Sequence, residues 1–380
     1  MSRNKIHLFN PENDLALALG CRHYTPPPHA AALHRAGALL PAWWADDGDA
    51  VIASDPCAED DAQWLASRWG IAPPVILPAK AKDTAPPHAA VTDNPAPAPW
   101  GWSDDARRQF MMAGVAKGTL PSDSTISRLR MLSHRRSSIA ILTALGATDL
   151  LPAEITDPSD ALTLEAESPG CFFKSPWSCS GRGVFCAGGL PEEVLRSKVE
   201  GIIHRQGSVM CERGYRKKAE FGALIESDGS SVRFRGLSMF LTEGRGAYTG
   251  NIVAPQDYFA DSLDSLGLLS ELQDTATALE SVLATLLCPV YRGWLGIDMM
   301  AYTADDGTTH LHPCIELNLR MTMGVAAMKV AERISPDRPM LMAWQRGTPQ
   351  PGTTLMLPPR EGFALTLTPL CFDFNNTSSL

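Results

Sequence analysis

The sequence predicts an α/β protein with several subdomains, and three observations lead to that class. Strand and helix patterns alternate over the first hundred residues, and short strand-like runs dominate 171–255. Two alternating strands with polar faces then follow, at 293–300 and 314–320. Because 380 residues exceed what one hydrophobic core usually organises, we expect two or three subdomains packed around a cleft.

Composition describes an ordinary globular chain, with 44% hydrophobic and 20% charged residues. The 42 acidic residues outnumber the 33 basic ones, and a net charge of −9 argues against nonspecific binding to nucleic acid. No apolar run is long enough to cross a membrane and no secretory leader is recognisable, so we expect a cytoplasmic protein without a membrane partner. Nine cysteines without a C-x-x-C pair indicate reduced core residues.

The first layer begins with the strand Lys5-Ile6-His7-Leu8-Phe9 and the turn Asn10-Pro11-Glu12-Asn13-Asp14. Asn13 or Asp14 is expected to cap the helix that follows, although a turn at the carboxyl end of a strand also suits ligand binding. Strands at 50–53 and 74–77, with a helix at 59–69 between them, complete a doubly wound layer. The proline-rich stretch 83–99 is expected to be an irregular connection.

Apolar spacing predicts three longer helices further along the chain. The first spans 122–145 and stops at Gly146, the second spans 263–287, and the third spans 323–334. The last few residues, 375–380, are polar and expected to be frayed.

Two polar strand faces suggest a metal site. In Cys314-Ile315-Glu316-Leu317-Asn318-Leu319-Arg320, alternation places Glu316, Asn318 and Arg320 on one face. A turn-rich stretch at 303–309 separates this run from Gly293-Trp294-Leu295-Gly296-Ile297-Asp298, so the two strands are expected to pair antiparallel and bring Asp298 beside Glu316. Two adjacent carboxylates repel each other unless a divalent cation lies between them, and carboxylate and amide oxygens suit Mg²⁺.

A phosphate loop is suggested by the run from Gly170 to Phe185, which reads as strand, small-residue loop and strand. Lys174 ends the first strand, and Ser180, Gly181 and Gly183 would let backbone N–H groups approach phosphate oxygens. The run lacks the helix that follows a P-loop or a dinucleotide-binding turn, and a plain flexible hairpin is the alternative.

A nucleotide hinge is suggested between Ser208 and Ile225. A strand runs into Glu212, a basic bend follows, and Glu220 is expected to open a new strand. Backbone groups at such a bend can meet an adenine edge, while Glu212 or Glu220 accepts hydrogen bonds from ribose hydroxyls. A solvated turn is the alternative.

In chain order, these segments resemble the ATP-grasp superfamily, which includes biotin carboxylase, glutathione synthetase and D-alanine:D-alanine ligase. The resemblance covers roughly residues 122–334, and its most specific part is the E-x-N-x-R strand at Glu316, Asn318 and Arg320. It implies an ATP-grasp fold with an N-terminal α/β layer at 1–121, a lid subdomain at 122–207, a metal and nucleotide subdomain at 208–340 and a C-terminal segment at 341–380. It also implies ATP and Mg²⁺, with Mn²⁺ as an alternative metal.

The resemblance implies a role for each matching residue. The metal ligands are Asp298, Glu316 and Asn318, and the nucleotide is held by Lys174, Ser180, Gly181, Gly183, Glu212 and Glu220. Many members carry a second lysine where this chain has Arg135 and Arg136, and an arginine at that place can also bind an α-phosphate, with Arg135 the first candidate. Arg320, with Arg235 preferred over Arg233 as its helper, would act on the transferred group, although surface strand charge also explains Arg235.

For most members the reaction forms an acyl phosphate from a carboxylate and ATP, which an amine or thiol then attacks. The sequence therefore predicts a carboxylate-amine ligase acting on small molecules or short peptides. An ATP-grasp kinase and a nonenzymatic nucleotide-binding protein are the alternatives, and a complete metal site disfavours the second. The loop at 242–251 suits a substrate lid as well as a plain connection, and a homodimer is left open.

Overall fold

The computed structural model describes residues 4–21, 23–78, 95–178, 183–243 and 247–370. The helices in this part of the chain are α1 (Asn13–Leu19), α2 (Pro28–Ala36), α3 (Ala58–Trp69), α4 (Asp104–Met112), α5 (Asp123–Leu132), α6 (Ser137–Ala144), α7 (Pro158–Glu167), α8 (Glu192–Gln206), α9 (Gln256–Asp264), α10 (Leu269–Leu287) and α11 (Met323–Ile334), with short 3-10 turns at Leu40–Trp43, Lys117–Thr119 and Thr148–Leu150. The strands are β1 (Lys5–Leu8), β2 (Ala50–Ile52), β3 (Val75–Leu77), β4 (Ala96–Pro99), β5 (Ala153–Ile155), β6 (Phe172–Lys174), β7 (Val184–Cys186), β8 (Val209–Glu212), β9 (Arg216–Ser227), β10 (Val232–Glu243), β11 (Ala247–Val253), β12 (Gly293–Thr303), β13 (Thr309–Asn318), β14 (Met340–Arg346), β15 (Thr354–Leu355) and β16 (Phe363–Pro369).

The chain divides into two compact units. The first unit holds the described residues up to Leu129, together with Gly250–Pro255 and 320–370. The second holds those within Arg130–Thr249 and Gln256–Leu319. Every helix in the described ranges is too short or too polar to span a bilayer.

A parallel sheet of order β3-β2-β1-β4 forms the centre of the first unit. Successive side chains of β1 point to opposite faces, so Ile6 and Leu8 pack against Phe110 of α4. Phe9, just past the strand, packs on the other side with Trp43 and with Val330 of α11. Both faces are covered, as expected for the doubly wound layer.

The proline-rich stretch corrects one expectation. Residues 83–94 lie outside the described residues, but Ala96–Pro99 form strand β4 instead of an irregular connection. Pro97 and Pro99 pair with Ile6 and Leu8 in parallel register at the edge of the sheet. An edge strand tolerates proline because one of its sides makes no ladder hydrogen bonds.

The C-terminal strands complete the first unit. Asn251–Val253 at the end of β11 pair with β14, which pairs with β16, and β15 pairs with β16 on its other side. Met342, Leu365 and Leu367 of these strands are buried in the same core as Val330. The helix that supplies Val330 spans 323–334, as predicted.

The second unit contains two antiparallel sheets. A sheet of order β5-β8-β6-β7 is covered by α7 and α8, with Phe173, Val199 and Val209 in its core. The longer strands follow the order β13-β12-β9-β10, and α10 packs against β10 and β13.

Two predicted helices are each divided in the structure. The expected helix at 122–145 is α5 and α6, which residues 133–136 separate. At this break the N–H of Arg136 donates to His134 Nδ1 (3.0 Å), and Ser137 Oγ donates to the carbonyl of Leu132 (2.6 Å). Such side chain to backbone bonds compete with helical hydrogen bonding. The expected helix at 263–287 corresponds to the last two residues of α9 and to the whole of α10. A Schellman turn separates them, in which the N–H of Leu268 donates to Leu263 O (3.0 Å).

The turn after β1 corrects a further expectation. The helix-capping role expected for Asn13 or Asp14 is wrong, because Glu12 is the N-cap residue of α1 and its side chain makes no capping bond. Asn10 exchanges two hydrogen bonds with the backbone of Gly101, its Nδ2 donating to the carbonyl (2.9 Å) and its Oδ1 accepting from the N–H (3.2 Å). These bonds join the turn after β1 to the chain that follows β4.

Candidate functional site

The pairing of β12 with β13 places Asp298 directly opposite Glu316, as the sequence predicted. Antiparallel partners point to the same face, so the two carboxylates share one side of the sheet while Ile297 and Leu317 face the other. Asn318, two residues beyond Glu316, is opposite Gly296 and is buried. The structure therefore brings together the three predicted metal ligands at the end of one hairpin.

Arg135 holds Glu316 from the break between α5 and α6. Its Nη1 donates to Glu316 Oε2 (2.8 Å), its Nε to the carbonyl of Ser175 (2.9 Å) and its Nη2 to Ser178 Oγ (2.9 Å). The backbone N–H of Arg135 donates to Pro176 O (3.1 Å). A buried guanidinium thus joins a predicted metal ligand to the chain that follows β6.

Lys174 and Glu212 form a second charged pair. Lys174 ends β6 and Glu212 ends the neighbouring strand β8, and their side chains form an ion pair in which both are mostly buried. Buried ion pairs gain little net stability, because desolvation offsets most of the attraction. Two largely buried cations, Arg135 and Lys174, are therefore each held by one carboxylate.

His312 and Tyr215 form an aromatic contact that the sequence analysis did not single out. The rings lie 5.4 Å apart in an edge-to-face arrangement, and Tyr302 lies 4.8 Å from Tyr215. His312 is buried, and its Nδ1 has no hydrogen-bond partner among the described residues. Burial lowers the pKa of His312 to about 4; the Glu212 carboxylate opposes this shift and the Lys174 ammonium adds to it. The imidazole is therefore neutral at pH 7.

A spacing along β13 could have identified His312. His312, Cys314 and Glu316 follow one another along β13 at intervals of two residues. On the partner strand β12, a β-bulge interrupts the register between Asp298 and Met300. Burial raises the pKa of the Cys314 thiol, and the charges of Asp298, Glu212 and Glu316 raise it further. Because the charges of all three carboxylates affect this one thiol, Glu212 lies near Asp298 and Glu316.

The loop between β6 and β7 is only partly described. Ser180 and Gly181 lie outside the described residues, so their predicted role as phosphate-binding residues stays a prediction. Gly183, at the far end of the loop, has φ +77°, and its carbonyl accepts a hydrogen bond from Ser175 N–H (2.8 Å). A Cβ at this position would come within 2.5 Å of Ser175 Oγ. Glycine is therefore required where the loop closes against the end of β6.

Glu220 lies inside β9 and does not open a strand, since β9 begins at Arg216. The predicted basic bend is therefore mostly strand. Glu220 pairs with Met300 across the sheet and so shares the face of Asp298. Its carboxylate accepts hydrogen bonds from Lys217 Nζ (2.7 Å) and Thr242 Oγ1 (2.9 Å).

The two arginines predicted to act on the transferred group have acidic partners of their own. Arg235 forms an exposed ion pair with Glu226, with Nη2 and Oε2 2.9 Å apart. Glu226 lies four residues from the register position of Asp298, roughly 13 Å along the strands, so this contact lies apart from the hairpin carboxylates. Arg320 belongs to the first unit, where its Nε donates to Asp14 Oδ2 (2.7 Å).

The donor set fits a hard divalent cation. Two carboxylates and an amide oxygen match the ligands that Mg²⁺ takes in proteins, and the set lacks the thiolate and imidazole ligands preferred by zinc. Among the described residues, the hairpin included, no group of three or more His, Cys, Asp or Glu side chains is arranged to hold a metal ion, so the candidate set is two carboxylates and one amide.

The second unit contains a cavity of about 420 Å³. Its wall includes Asp149, Glu271, Asp274 and Tyr302. An acidic wall repels phosphate, so this cavity does not suit the charged end of a nucleotide.

Comparison with known proteins finds structural likeness alone. No family model matches the chain, and no curated protein matches it. Biotin carboxylase from Campylobacter jejuni, in a beta-gamma-ATP complex, matches with a TM-score of 0.50 at 12% identity, covering 97% of this chain and 88% of that one.

Two further solved structures give lower scores. N5-carboxyaminoimidazole synthetase from Staphylococcus aureus matches at 11% identity and TM-score 0.49, covering 99% and 97% of the two chains. D-alanyl-alanine synthetase A from Vibrio cholerae matches at 12% identity and TM-score 0.45, covering 88% and 94%. The topology shared with biotin carboxylase, together with the hairpin that carries Asp298, Glu316 and Asn318, leads to one conclusion: this chain has the ATP-grasp fold.

Proposed function

We propose that this protein is an ATP- and Mg²⁺-dependent ligase that activates a substrate carboxylate as an acyl phosphate and couples it to an amine or a thiol. The observation that carries the proposal is the register of β12 and β13, which sets Asp298 opposite Glu316 with Asn318 two residues further on. A protein that only bound a nucleotide would have no need of two apposed carboxylates, and once Arg135 turns from Glu316 to a phosphate, a divalent cation would offset their repulsion. The likeness in fold to a biotin carboxylase crystallised in a beta-gamma-ATP complex supports ATP as the nucleotide.

Each group has a part in this proposal. Asp298, Glu316 and Asn318 would hold Mg²⁺, which neutralises charge on the β- and γ-phosphates when bound. Lys174 and Arg135 would bind phosphate oxygens, the first as a point charge and the second through a planar fork of donors. Their present partners, Glu212 and Glu316, keep both cations in place and largely desolvated, and an arriving phosphate would take the place of these carboxylates.

The base and ribose would lie near Glu212, Tyr215 and His312. A carboxylate can accept hydrogen bonds from ribose hydroxyls, and the buried aromatic ring offers apolar surface. Because His312 is neutral, no charge would have to be desolvated when an uncharged purine packs beside it. The orphaned Nδ1 of His312 is available as a hydrogen-bonding group toward the base.

The proposed reaction has two steps. An oxygen of the substrate carboxylate attacks the γ-phosphorus, the bond from that phosphorus to the bridging oxygen breaks, and ADP leaves with the bonding electrons. An amine nitrogen or thiol sulfur then attacks the acyl carbon, loses its proton and expels inorganic phosphate. Arginine side chains at the carboxylate stabilise the oxyanion of the second step, and Arg320 or Arg235 would fill this role.

Hydroxylamine trapping tests the proposal directly. The protein is incubated with Mg·ATP, hydroxylamine and a panel of dicarboxylates, amino acids, N-acetyl amino acids and small peptides, and ADP, phosphate and hydroxamate are measured. We expect all three products with at least one carboxylate, and none with Glu316→Gln. ADP formed without hydroxamate, with the phosphoryl group found on a hydroxyl, would identify a kinase, while ATP binding without turnover against every carboxylate would identify a binding protein.

A control separates the loss of a metal ligand from a general effect of removing a carboxylate. Asp305, on the turn between β12 and β13, is 89% exposed at its side chain and pairs with Arg213. Asp305→Asn should retain full turnover. Turnover retained by Glu316→Gln would refute the assigned site.

A further inference from the structure

Trp177, in the chain that follows β6, is buried between the ends of two helices. Its backbone N–H donates to Gln206 Oε1 (2.9 Å), and its carbonyl accepts a hydrogen bond from Gln206 Nε2 (3.1 Å). Its indole N–H donates to the carbonyl of Arg130 (3.1 Å). The guanidinium of Arg130 lies over the indole, 4.2 Å from the ring centroid, and the ring of His134 meets the indole edge-to-face at 4.6 Å. The backbone, the indole N–H and the ring face of Trp177 therefore all have partners.

The helices that supply these partners are themselves fixed. Gln206 is the last residue of α8, and α8 is anchored through Val199 in the core beneath the β5-β8-β6-β7 sheet. Ser208, two residues further on, is buried, and its Oγ lies 3.4 Å from His134 Nε2. The end of α8 thus contacts both Trp177 and the break after α5. All of these residues belong to the second unit.

The residues on either side of Trp177 hold the guanidinium of Arg135. Its Nε donates to the carbonyl of Ser175 (2.9 Å), and its Nη2 donates to Ser178 Oγ (2.9 Å). The backbone N–H of Arg135 donates to the carbonyl of Pro176 (3.1 Å). Two of the three guanidinium nitrogens are therefore oriented by residues that flank Trp177. The path of the chain over 175–178 sets the plane of this guanidinium.

The orientation of Arg135 matters for its proposed task. A guanidinium binds phosphate through a planar fork of donors, and a displacement of about 1 Å caused by a distant substitution can cost about 100-fold in rate. Apolar packing is non-directional and would bury the ring of Trp177 without specifying the path of the chain. The three hydrogen bonds from Trp177 to Gln206 and Arg130 do specify it.

From these contacts we infer that Trp177 and Gln206 are positioning residues of the proposed reaction, which fix the chain at 175–178 so that the Arg135 guanidinium meets the phosphates of ATP in the correct orientation. The inference rests on the proposed function, in which Arg135 binds phosphate. Neither residue contacts the nucleotide, and each acts through Arg135. Functional groups are held most precisely when such supporting residues are mounted on rigid elements.

The first experiment measures the affinity for Mg·ATP by isothermal titration calorimetry, without a carboxylate substrate. Gln206→Ala removes both hydrogen bonds to the backbone of Trp177 and leaves the buried ring untouched. We expect the Kd for Mg·ATP to rise by about 5- to 20-fold, because the fork of Arg135 is misaligned. Arg205→Ala is the matched control, since Arg205 is adjacent in the last turn of α8 and exposed, and this variant should keep the wild-type Kd.

A double-mutant cycle with Arg135→Lys separates positioning from a general effect on the fold. Lysine keeps a positive charge but lacks the two donors that reach Ser175 and Ser178. In this background, Gln206→Ala should change the Kd for Mg·ATP by less than about two-fold, because the connection it acts through is already lost. An equal loss of affinity in both backgrounds would show that Gln206 does not act through Arg135. If Gln206→Ala fails to fold, Trp177→Phe takes its place in the cycle, because it keeps an aromatic ring and removes only the indole N–H.

The outcomes for the inference and for the ligase proposal are separable. An unchanged Kd in folded Gln206→Ala, with hydroxamate still formed by the wild-type protein, would overturn the inference and leave the ligase proposal standing. Weaker Mg·ATP binding in Gln206→Ala that vanishes in the Arg135→Lys background would support the inference, even if no carboxylate gave hydroxamate and the ligase chemistry fell. A wild-type protein that did not bind Mg·ATP would remove both.

Discussion

Arg135 and Glu316, 181 residues apart in the chain, form a largely buried ion pair in which Nη1 donates to Oε2 at 2.8 Å. The Nε and Nη2 of the same guanidinium donate to the Ser175 carbonyl and to Ser178 Oγ, beside the loop that is proposed to cover phosphates. One side chain therefore connects a proposed metal ligand to the start of that loop. Arrival of a phosphate would compete with Glu316 for Arg135 and free the carboxylate for a cation.

Arg135→Ala should therefore damage both stability and nucleotide binding. Removing one partner of a buried pair leaves the other unpaired, which costs about 3–5 kcal/mol in comparable cases. We expect the free energy of unfolding to fall by this order and the KM for ATP to rise by about 10- to 100-fold. Urea unfolding and ATP titration at fixed Mg²⁺ measure the two effects.

Arg136→Ala is the matched control. Arg136 is adjacent in sequence and also pairs with a carboxylate, Glu154 Oε1 at 2.8 Å, but its side chain is 44% exposed. Exposed pairs contribute about 0–1 kcal/mol, so this variant should stay near wild type in both measurements. Equal losses in the two variants would remove Arg135 from the site.

Asp298→Asn should reduce turnover at least about 100-fold, since one of the two carboxylates that would hold Mg²⁺ is lost. Excess Mg²⁺ should restore part of the activity, because the amide oxygen remains as a weaker ligand. The measurement is ADP release against Mg²⁺ concentration. An unshifted Mg²⁺ dependence would show that Asp298 does not bind the metal.

The hairpin could be predicted from sequence because its determinants are local. Alternating apolar residues in two short runs, with a polar turn between them, define both the faces and the register, so Asp298 was expected opposite Glu316. The helix at 323–334 was predictable for the same reason. Such patterns need no knowledge of the remaining chain.

Other features depend on contacts between distant segments. The helical pattern at 122–145 gives no sign of the break at 133–136. The break depends on the hydrogen bond from Arg135 N–H to Pro176 O and on the side-chain hydrogen bonds of His134 and Ser137. His312 looked unremarkable because its burial arises only when the chain around Tyr215 packs against β13. Asn10, in the turn after β1, likewise donates from Nδ2 to the carbonyl of Gly101, 91 residues away.

His312 should make the protein sensitive to acid. Its pKa in the folded protein is about 4, below the ordinary value of 6.5, so the unfolded chain takes up the proton first as pH falls. The contribution to stability is complete above pH 6.5 and is lost between pH 6.5 and 4, by roughly 2 kcal/mol at pH 5. His312→Gln should therefore lose less stability between pH 7 and pH 5 than the wild-type protein.

Urea unfolding at the two pH values measures this difference. His134 has a pKa near 4 for the same main reason, burial, so part of the acid sensitivity will remain in the variant. The control is His204→Gln, at an exposed position in the last turn of α8. An identical pH dependence in wild type and His312→Gln would mean that folding does not lower the pKa of His312.

Gly183→Ala should weaken ATP binding through the geometry of the loop. Its φ of +77° costs an alanine about 1–2 kcal/mol, and the new methyl group would in addition come within 2.5 Å of Ser175 Oγ. Gly189→Ala is the control for the cost of the positive φ alone, because Gly189 has a φ of +79° and no atom lies within 4 Å of its added Cβ. If the end of the loop positions phosphate-binding groups, Gly183→Ala will raise the KM for ATP several-fold more than Gly189→Ala at comparable stability. If the KM for ATP changes equally in both variants, Gly183 matters only for backbone conformation. The end of the loop would then have no part in positioning the nucleotide.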